Sequence, residues 1–200
     1  MVAKRIFDIV VTLALLLIAL PFALISIAGI LMTSPGPVFY LGQRTGLKGR
    51  SFRIFKFRTM IVDAERKGGG TTALADPRIF AFGRLLRRYK LDELPQFLNV
   101  LRGEMSLVGP RPELPVYTER YTEKERAILS VRPGITDLSS IRFSSLDEIV
   151  GAHDADRAFE EKVLPEKNRL RLQYVQTRSF AGDIRILFMT GWCILRKFFD

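Results

Sequence analysis

Asp92 and Glu93 stand side by side just ahead of Pro95. Paired carboxylates can hold magnesium, which takes oxygen ligands and usually shares them with substrate phosphates. An aspartate can also attack phosphorus and form an aspartyl-phosphate. The position admits a plainer use, because acidic residues at a helix start cap free N–H groups and complement the dipole. Bound phosphate favours the same helix end. Downstream, Gly109-Pro110-Arg111-Pro112 holds one arginine between two prolines. Proline fixes the backbone, so Arg111 is presented with little freedom, and its guanidinium fork matches phosphate oxygens. Arg132-Pro133-Gly134 repeats the idea. Taken alone, each arginine turn is a weak signal.

Composition narrows the partners. The chain has 200 residues, with 31 Lys and Arg against 21 Asp and Glu, a net charge of +10. Its mean hydropathy is +0.12. The length fits one domain with room for an appendage, and an apolar fraction of 48% excludes a disordered tail protein. A single cysteine, Cys193, excludes an intrachain disulfide framework and a cysteine zinc finger. A single histidine, His153, excludes multi-histidine zinc sites. With no GxSxG elbow beside it, that histidine also argues against a serine hydrolase. A basic chain seeks anions: nucleic acid, lipid headgroups or phosphorylated substrates. Positive hydropathy combined with positive charge favours the membrane surface over nucleic acid.

The positioning elements begin with an apolar run. No charge occurs from Ile9 to Gln43, and Ile9–Met32 is 24 nearly continuous apolar residues. That crosses a hydrocarbon core of roughly 30 Å at about 1.5 Å per residue. A cleaved signal peptide would have a shorter apolar region and a small-residue cleavage site; this run continues into Thr33-Ser34-Pro35-Gly36-Pro37. Lys4 and Arg5 precede the run, and Arg44, Lys48, Arg50, Arg53, Lys56 and Arg58 follow it. The positive-inside rule therefore pulls both ends to one side. Pro21, near the middle, kinks a helix. Together these favour a helix that enters, bends and returns, against the alternative of a single-pass anchor that tolerates its proline.

Val38–Leu41 and Ser51–Met60 read as short strands around a Gly46/Gly49 turn. In the second, Phe52, Ile54, Lys56 and Arg58 share one face, unless the cations merely snorkel on an exposed strand. Gly68-Gly69-Gly70 is a loop without the GK[ST] ending of a P-loop. Asp76-Pro77 predicts a helix start, followed by Ile79, Phe82, Leu86 and Tyr89 at helical spacing. Arg84, Arg87, Arg88 and Lys90 crowd the end of that helix, where cations complement the dipole. Leu94, Phe97, Leu98 and Leu101 predict a helix with Pro95 in its first turn and Gly103 as its stop. Glu119–Leu129 reads as a further helix, Val131–Gly134 as a break, and Ala155–Gln176 as a long charged helix interrupted near Pro165. Asp183–Phe199 mixes Trp192, Phe198 and Phe199 with Arg196 and Lys197. That suits a membrane interface, with a buried terminal helix as the alternative.

With these pieces in order, the chain resembles the monotopic phosphoglycosyl transferases, a family of bacterial sugar transferases, in its small form. The matching segments are KRIFD (Lys4–Asp8), SPGPVFY (Ser34–Tyr40), QRTG (Gln43–Gly46), FKFRTM (Phe55–Met60), DPRI (Asp76–Ile79), FGRLLRR (Phe82–Arg88), LDELPQFLNVLRGEMSLVGPRPE (Leu91–Glu113) and VRPGIT (Val131–Thr136). The Leu91–Glu113 run is long and highly specific. The resemblance implies an α+β fold: a small, mostly helical catalytic domain with short strands over 34–200. A re-entrant membrane helix over 1–33, breaking at Pro21, and interfacial amphipathic helices would anchor it. The chain reads as the minimal catalytic unit, on the cytoplasmic face of the bacterial inner membrane.

The resemblance also implies a reaction. A sugar-1-phosphate passes from a UDP-sugar to polyprenyl (undecaprenyl) phosphate, giving polyprenyl diphosphate sugar and UMP, with Mg2+ required. This is the first membrane step of glycoconjugate assembly. Asp92 would be the nucleophile of a covalent phosphosugar intermediate and a magnesium ligand, and Glu93 would assist. Arg111, Arg87 and Lys56 would bind the phosphates, with Gln96 and Arg132 as further contacts. Nucleic acid is not an expected partner; membrane lipids are, and the reading leaves room for a homodimer. The chain departs from the family in two places. Leu20 stands where a serine often precedes the proline. After Thr136, Asp137-Leu138-Ser139-Ser140 replaces a Gly-Trp-Ala-Gln type segment, which bears on sugar recognition. The alternatives are a membrane-anchored binding protein for anions, an inactive scaffold subunit, or a true glycosyl transferase that would release UDP.

Overall fold

The apolar run folds as α1 (Val2–Thr33), one helix with Pro21 inside it, in a computed structural model that describes residues 2–64, 76–143 and 155–196. The triple-glycine loop, His153, Phe198 and Phe199 lie outside the described residues. Buried positions Asp8, Thr12, Ala19, Ser26 and Ile30 recur four or seven apart and so share one face. Val10, Leu17, Ile18, Leu24, Ile25 and Met32 are exposed. Among the described residues α1 is the one helix long and apolar enough to cross a membrane. Beyond Pro21, the Ser26 hydroxyl donates to the Phe22 carbonyl at 2.7 Å, a back-bond that tends to bend helices.

After α1, β1 (Phe39–Thr45) and β2 (Ser51–Phe57) form an antiparallel hairpin registered from Phe39↔Phe57 to Thr45↔Ser51. Pairing carries β1 past Leu41, while β2 stops at Phe57, short of the expected Met60. Arg58 therefore leaves the face shared by Phe52, Ile54 and Lys56. Its guanidinium instead donates to the Ser34 hydroxyl at 2.7 Å and the Ser34 carbonyl at 2.6 Å. That locks the end of α1 to the hairpin.

The expected helix at Asp76 starts later, as α2 (Ala81–Arg88). Asp76 accepts from the Arg78 N–H at 2.9 Å and pairs with its guanidinium, and Ile79 bridges to Met60. The stretch before Phe80 is thereby held by strand and turn contacts rather than by a helical turn. A 3₁₀ turn over Leu91–Glu93 leads to α3 (Gln96–Arg102), closed by Gly103 with φ 81. The α3 helix and its stop agree with the sequence expectation. Then β3 (Ser106–Val108) pairs in parallel with β4 (Gly134–Thr136).

Glu119–Leu129 is not one helix. α4 (Pro115–Thr118) ends before it, and a separate 3₁₀ turn spans Glu125–Ser130. The Glu125 carboxylate accepts from the Thr122 N–H at 3.0 Å, and the Thr122 hydroxyl accepts from the Glu125 N–H at 3.3 Å. This reciprocal capping box starts a new turn inside the stretch. α5 (Leu138–Arg142) follows β4. α6 (Ala155–Ala158) and α7 (Leu164–Thr177) are separated by a π-helical turn over Phe159–Val163, the interruption expected near Pro165. α8 (Phe180–Arg196) buries Asp183 and Ile186 but exposes Phe188, Trp192 and Leu195, so it is not a helix buried all round.

The molecule is mostly helical with a few short strands. Leu107, Val108, Tyr174 and Ile186 form one core cluster, joined by Phe7 and Val11 from the start of α1. Ile30, from the end of α1, is buried with Phe57 and Leu86 in another. Ile54, Val100 and Met105 tie the hairpin to α3. Both ends of α1 are thus packed on the domain that carries the dyad.

Candidate active site

The dyad lies in the turn between α2 and α3. Lys90, just before it, has φ 58, a conformation uncommon for a side-chain-bearing residue. α2 can approach because Gly83 faces backbone: a Cβ there would stand 2.2 Å from the Thr59 carbonyl oxygen. One turn on, Arg87 Nε donates to Thr59 Oγ1 at 2.8 Å. β2 delivers Lys56, whose Nζ donates to Glu93 Oε1 at 3.1 Å.

The third arm is the turn after β3. A Cβ on Gly134 would stand 2.1 Å from the Gly109 nitrogen, so the Gly109-Pro110 and Pro133-Gly134 turns meet backbone to backbone. Gly109 N–H donates to the Thr136 carbonyl at 3.1 Å and Gly134 N–H to the Pro110 carbonyl at 3.0 Å. From this turn Arg111 reaches across to Glu93 Oε1, and its Nη1 donates to the Ile135 carbonyl at 2.9 Å.

The two carboxylates differ. Asp92 is buried, at 7% exposure, and among the described residues its carboxylate takes part in no hydrogen bond or ion pair. Burial pushes its pKa above the ordinary aspartate value, against the opposing pull of Lys56. Burial also pushes Glu93 up, but Arg111 and Lys56 more than offset it and hold Glu93 well below the usual carboxylate range. Burial lowers Lys56, with Glu93 and Asp92 opposing. Arg111 is desolvated too, yet Glu93 raises it overall. Asp92 feels Lys56, Arg87 and Lys90. An unpaired, desolvated carboxylate ringed by cations suits attack on an anionic phosphorus centre, where the cations offset developing charge.

Among the described residues no three metal-ligating side chains cluster. Asp92 nevertheless fits magnesium, being a hard oxygen donor with no partner among the described residues, if the remaining ligands are phosphates and water.

The structure brings Asp92, Glu93, Lys56, Arg87 and Arg111 together. Gln96 is fully buried on the first turn of α3, its amide oxygen and nitrogen both without a partner among the described residues. Arg132 goes elsewhere: its Nε donates to the Gly103 carbonyl at 2.9 Å, at the opposite end of α3. Sequence reasoning missed Lys90, which it assigned to dipole complementation. It also missed a buried group behind Arg111. There Arg171, on α7, donates to Glu113 at 2.7 Å and lies 3.8 Å from Asp137. Arg171 stands in a helix of many charges, and nothing in its spacing separates it from exposed Arg169.

The chain matches the bacterial sugar transferase family over residues 1–197. It belongs to that family. It is 38% identical to an undecaprenyl-phosphate glucose phosphotransferase of Komagataeibacter xylinus, over 95% of this chain and 35% of that protein. It is 37% identical to the UDP-glucose:undecaprenyl-phosphate glucose-1-phosphate transferase of Escherichia coli, over 94% of this chain and 39% of that protein. An undecaprenyl-phosphate galactose phosphotransferase of Salmonella typhimurium is 35% identical, over 97% of this chain and 40% of its own length. The chain therefore spans well under half the length of these three relatives.

Proposed function

We propose that this chain is a phosphoglycosyl transferase that moves a sugar-1-phosphate from a UDP-sugar to undecaprenyl phosphate and releases UMP. The observation that carries it is Asp92: a buried carboxylate without a hydrogen-bond or ion-pair partner among the described residues, set among Lys56, Arg87 and Lys90. An Asp92 oxygen attacks the phosphorus that bears the sugar, and the bond from that phosphorus to the bridging oxygen breaks. UMP departs with the bridging oxygen and its electron pair. An oxygen of the lipid phosphate then attacks the same phosphorus, and the Asp92 carboxylate leaves unchanged. Lys56, Arg87 and Arg111 hold the phosphoryl oxygens, and Glu93 holds Lys56 and Arg111 at the site. Asp92, with the substrate phosphates, would hold magnesium, which supplies Lewis-acid neutralisation of phosphate charge.

The same proposal places the site at the cytoplasmic face of the inner membrane, with α1 as a re-entrant helix. Arg5, near one end of α1, donates to the Val100 and Leu101 carbonyls at 2.7 and 3.1 Å. Ser34, just past the other end, is held by Arg58. Both ends resting on one domain supports re-entry, since a crossing helix would put its ends on opposite sides of the hydrocarbon core.

The first test is UMP release by membrane fractions given undecaprenyl phosphate, magnesium and a panel of UDP-sugars. UMP from one donor, lost in Asp92→Asn, is the expected result and names the sugar. UDP release would instead indicate glycosyl transfer, and no nucleotide release from any donor would favour a scaffold. For topology, cysteines replacing Val2 or Thr33 in a Cys193→Ser background should both label from the cytoplasmic side. Labelling from opposite sides would sink re-entry.

A further inference from the structure

The proposed reaction assigns no part to the segment after Thr136. In the structure it grips the Arg111 turn. The Asp137 carboxylate is almost wholly buried, at 1% exposure. Its Oδ2 accepts from the Arg111 backbone N–H at 3.1 Å. Its other partners fix the carboxylate in place: the Ser140 N–H at 2.6 Å, the Ser140 hydroxyl at 2.7 Å and the Ser139 hydroxyl at 2.8 Å. The same strand end binds the Arg111 side chain, through Nη1 to the Ile135 carbonyl. Arg111 is thus held at backbone and guanidinium by residues two apart in sequence, on β4 and at the start of α5.

α7 closes the device from behind. Arg171 has no exposed side-chain surface, binds Glu113 at 2.7 Å and lies 3.8 Å from Asp137. Glu113 stands two residues beyond Arg111 in the chain, and Asp137 reaches the Arg111 backbone from 26 residues away. One buried cation therefore holds both carboxylates.

We propose that Asp137, backed by Arg171, is a positioning residue that sets the Arg111 guanidinium for the donor's phosphates. This rests on the reading of Arg111 as a phosphate-binding group. A guanidinium fork binds two phosphate oxygens only in one orientation. Loosening its backbone anchor thus weakens recognition without touching substrate.

The test is a double-mutant cycle of Asp137→Asn and Arg111→Ala in the full chain in membrane fractions. It is read two ways: as kcat/KM for UMP release, and as affinity for UMP in magnesium. Asparagine keeps an oxygen for the helix start but cannot accept from both Ser140 and Arg111. Asp137→Asn alone should lower both readouts roughly tenfold, the size of a lost charge-assisted hydrogen bond. In the Arg111→Ala background it should change neither by more than about twofold, because no guanidinium remains to be placed. An equal loss in both backgrounds would show a merely structural role and overturn the proposal. Full UMP affinity in Arg111→Ala would overturn it by removing the reading of Arg111. Coupled UMP affinities without UMP release from any donor would uphold the clamp and count against the reaction alone. If Asp137→Asn does not yield folded protein, Arg171→Lys takes its place in the cycle with the same expected coupling.

Discussion

Two groups of charges meet at Arg111. In front of it, Asp92 has no partner among the described residues, Glu93 holds two cations on one oxygen, and the side chains of Lys56 and Arg111 keep 21% and 24% of their surface exposed. Behind it, Arg171 and Asp137 have 0% and 1% of theirs exposed, and Asp137 is surrounded by donors. The front group leaves bonding capacity for a ligand. The rear group uses most of its own capacity, although the Arg171 Nε finds no hydrogen-bond partner among the described residues. A satisfied network rigidifies, while an unsatisfied group is costly unless something else binds it. The contrast separates what acts from what aims.

The largest expected break in that contrast is Asp92→Asn. UMP release should fall at least about a thousandfold, as expected for loss of a nucleophile. Stability should hold or rise, for a stated reason of sign. Asp92 has a raised folded pKa, so its ionised form is the one that folding disfavours. The neutral amide removes that cost. A thermal melt in detergent that drops sharply would mean Asp92 has a structural partner after all.

Arg171→Met should do the reverse. Removing the cation leaves Glu113 and Asp137 buried without it, a loss of about 3–5 kcal/mol by analogy with broken buried pairs. The melt would show it directly. A wild-type melting temperature would mean that the rear group is not the scaffold described above.

The front group was largely legible in the sequence, and the rear group was not. Asp92, Glu93 and Arg111 carry short-range marks: adjacent acids before a proline, and an arginine between prolines. Strand alternation put Lys56 on one face of its strand, while the site roles of Lys56 and Arg87 came from the family resemblance. Arg132 carried the same proline mark as Arg111, yet it caps the Gly103 end of α3. Local pattern presents a side chain but does not say toward what. The rear group depends on contacts such as Glu113 to Arg171, 58 residues apart in sequence. On α7, Lys167, Asn168, Arg171 and Tyr174 form the buried face, the inverse of the usual rule that charge marks the solvent side. The helix start expected at Asp76 failed for a related reason. Its carboxylate was available as a cap, but Arg78 took it.

Glu93→Gln sharpens the comparison within the front group. Glu93 now occupies Lys56 and Arg111, the cations proposed for the donor's phosphates. A neutral amide competes for them far less. UMP affinity in magnesium should therefore rise, by roughly tenfold if one charge-assisted bond is freed, while turnover falls. Calorimetric titration separates the two effects. Weaker UMP binding would mean that Glu93 orients those cations instead of competing for them.

Acid titration gives the smallest effect and compares both groups at once. Glu93 and Glu113 each have a folded pKa below the ordinary value of 4.5. For Glu113, burial raises the pKa but Arg171 more than offsets it. Depressed carboxylates contribute stability that is present above their unfolded pKa and lost as pH falls through the folded one. Melting temperature should thus be flat above the ordinary glutamate range and decline below it. Arg171→Met should shrink the Glu113 share of that decline, since Glu113 then lacks the cation that depresses it. Glu93→Gln should remove the Glu93 share and leave the rest. If the two variants gave the same acid profile, the front and rear groups would be one electrostatic unit rather than two.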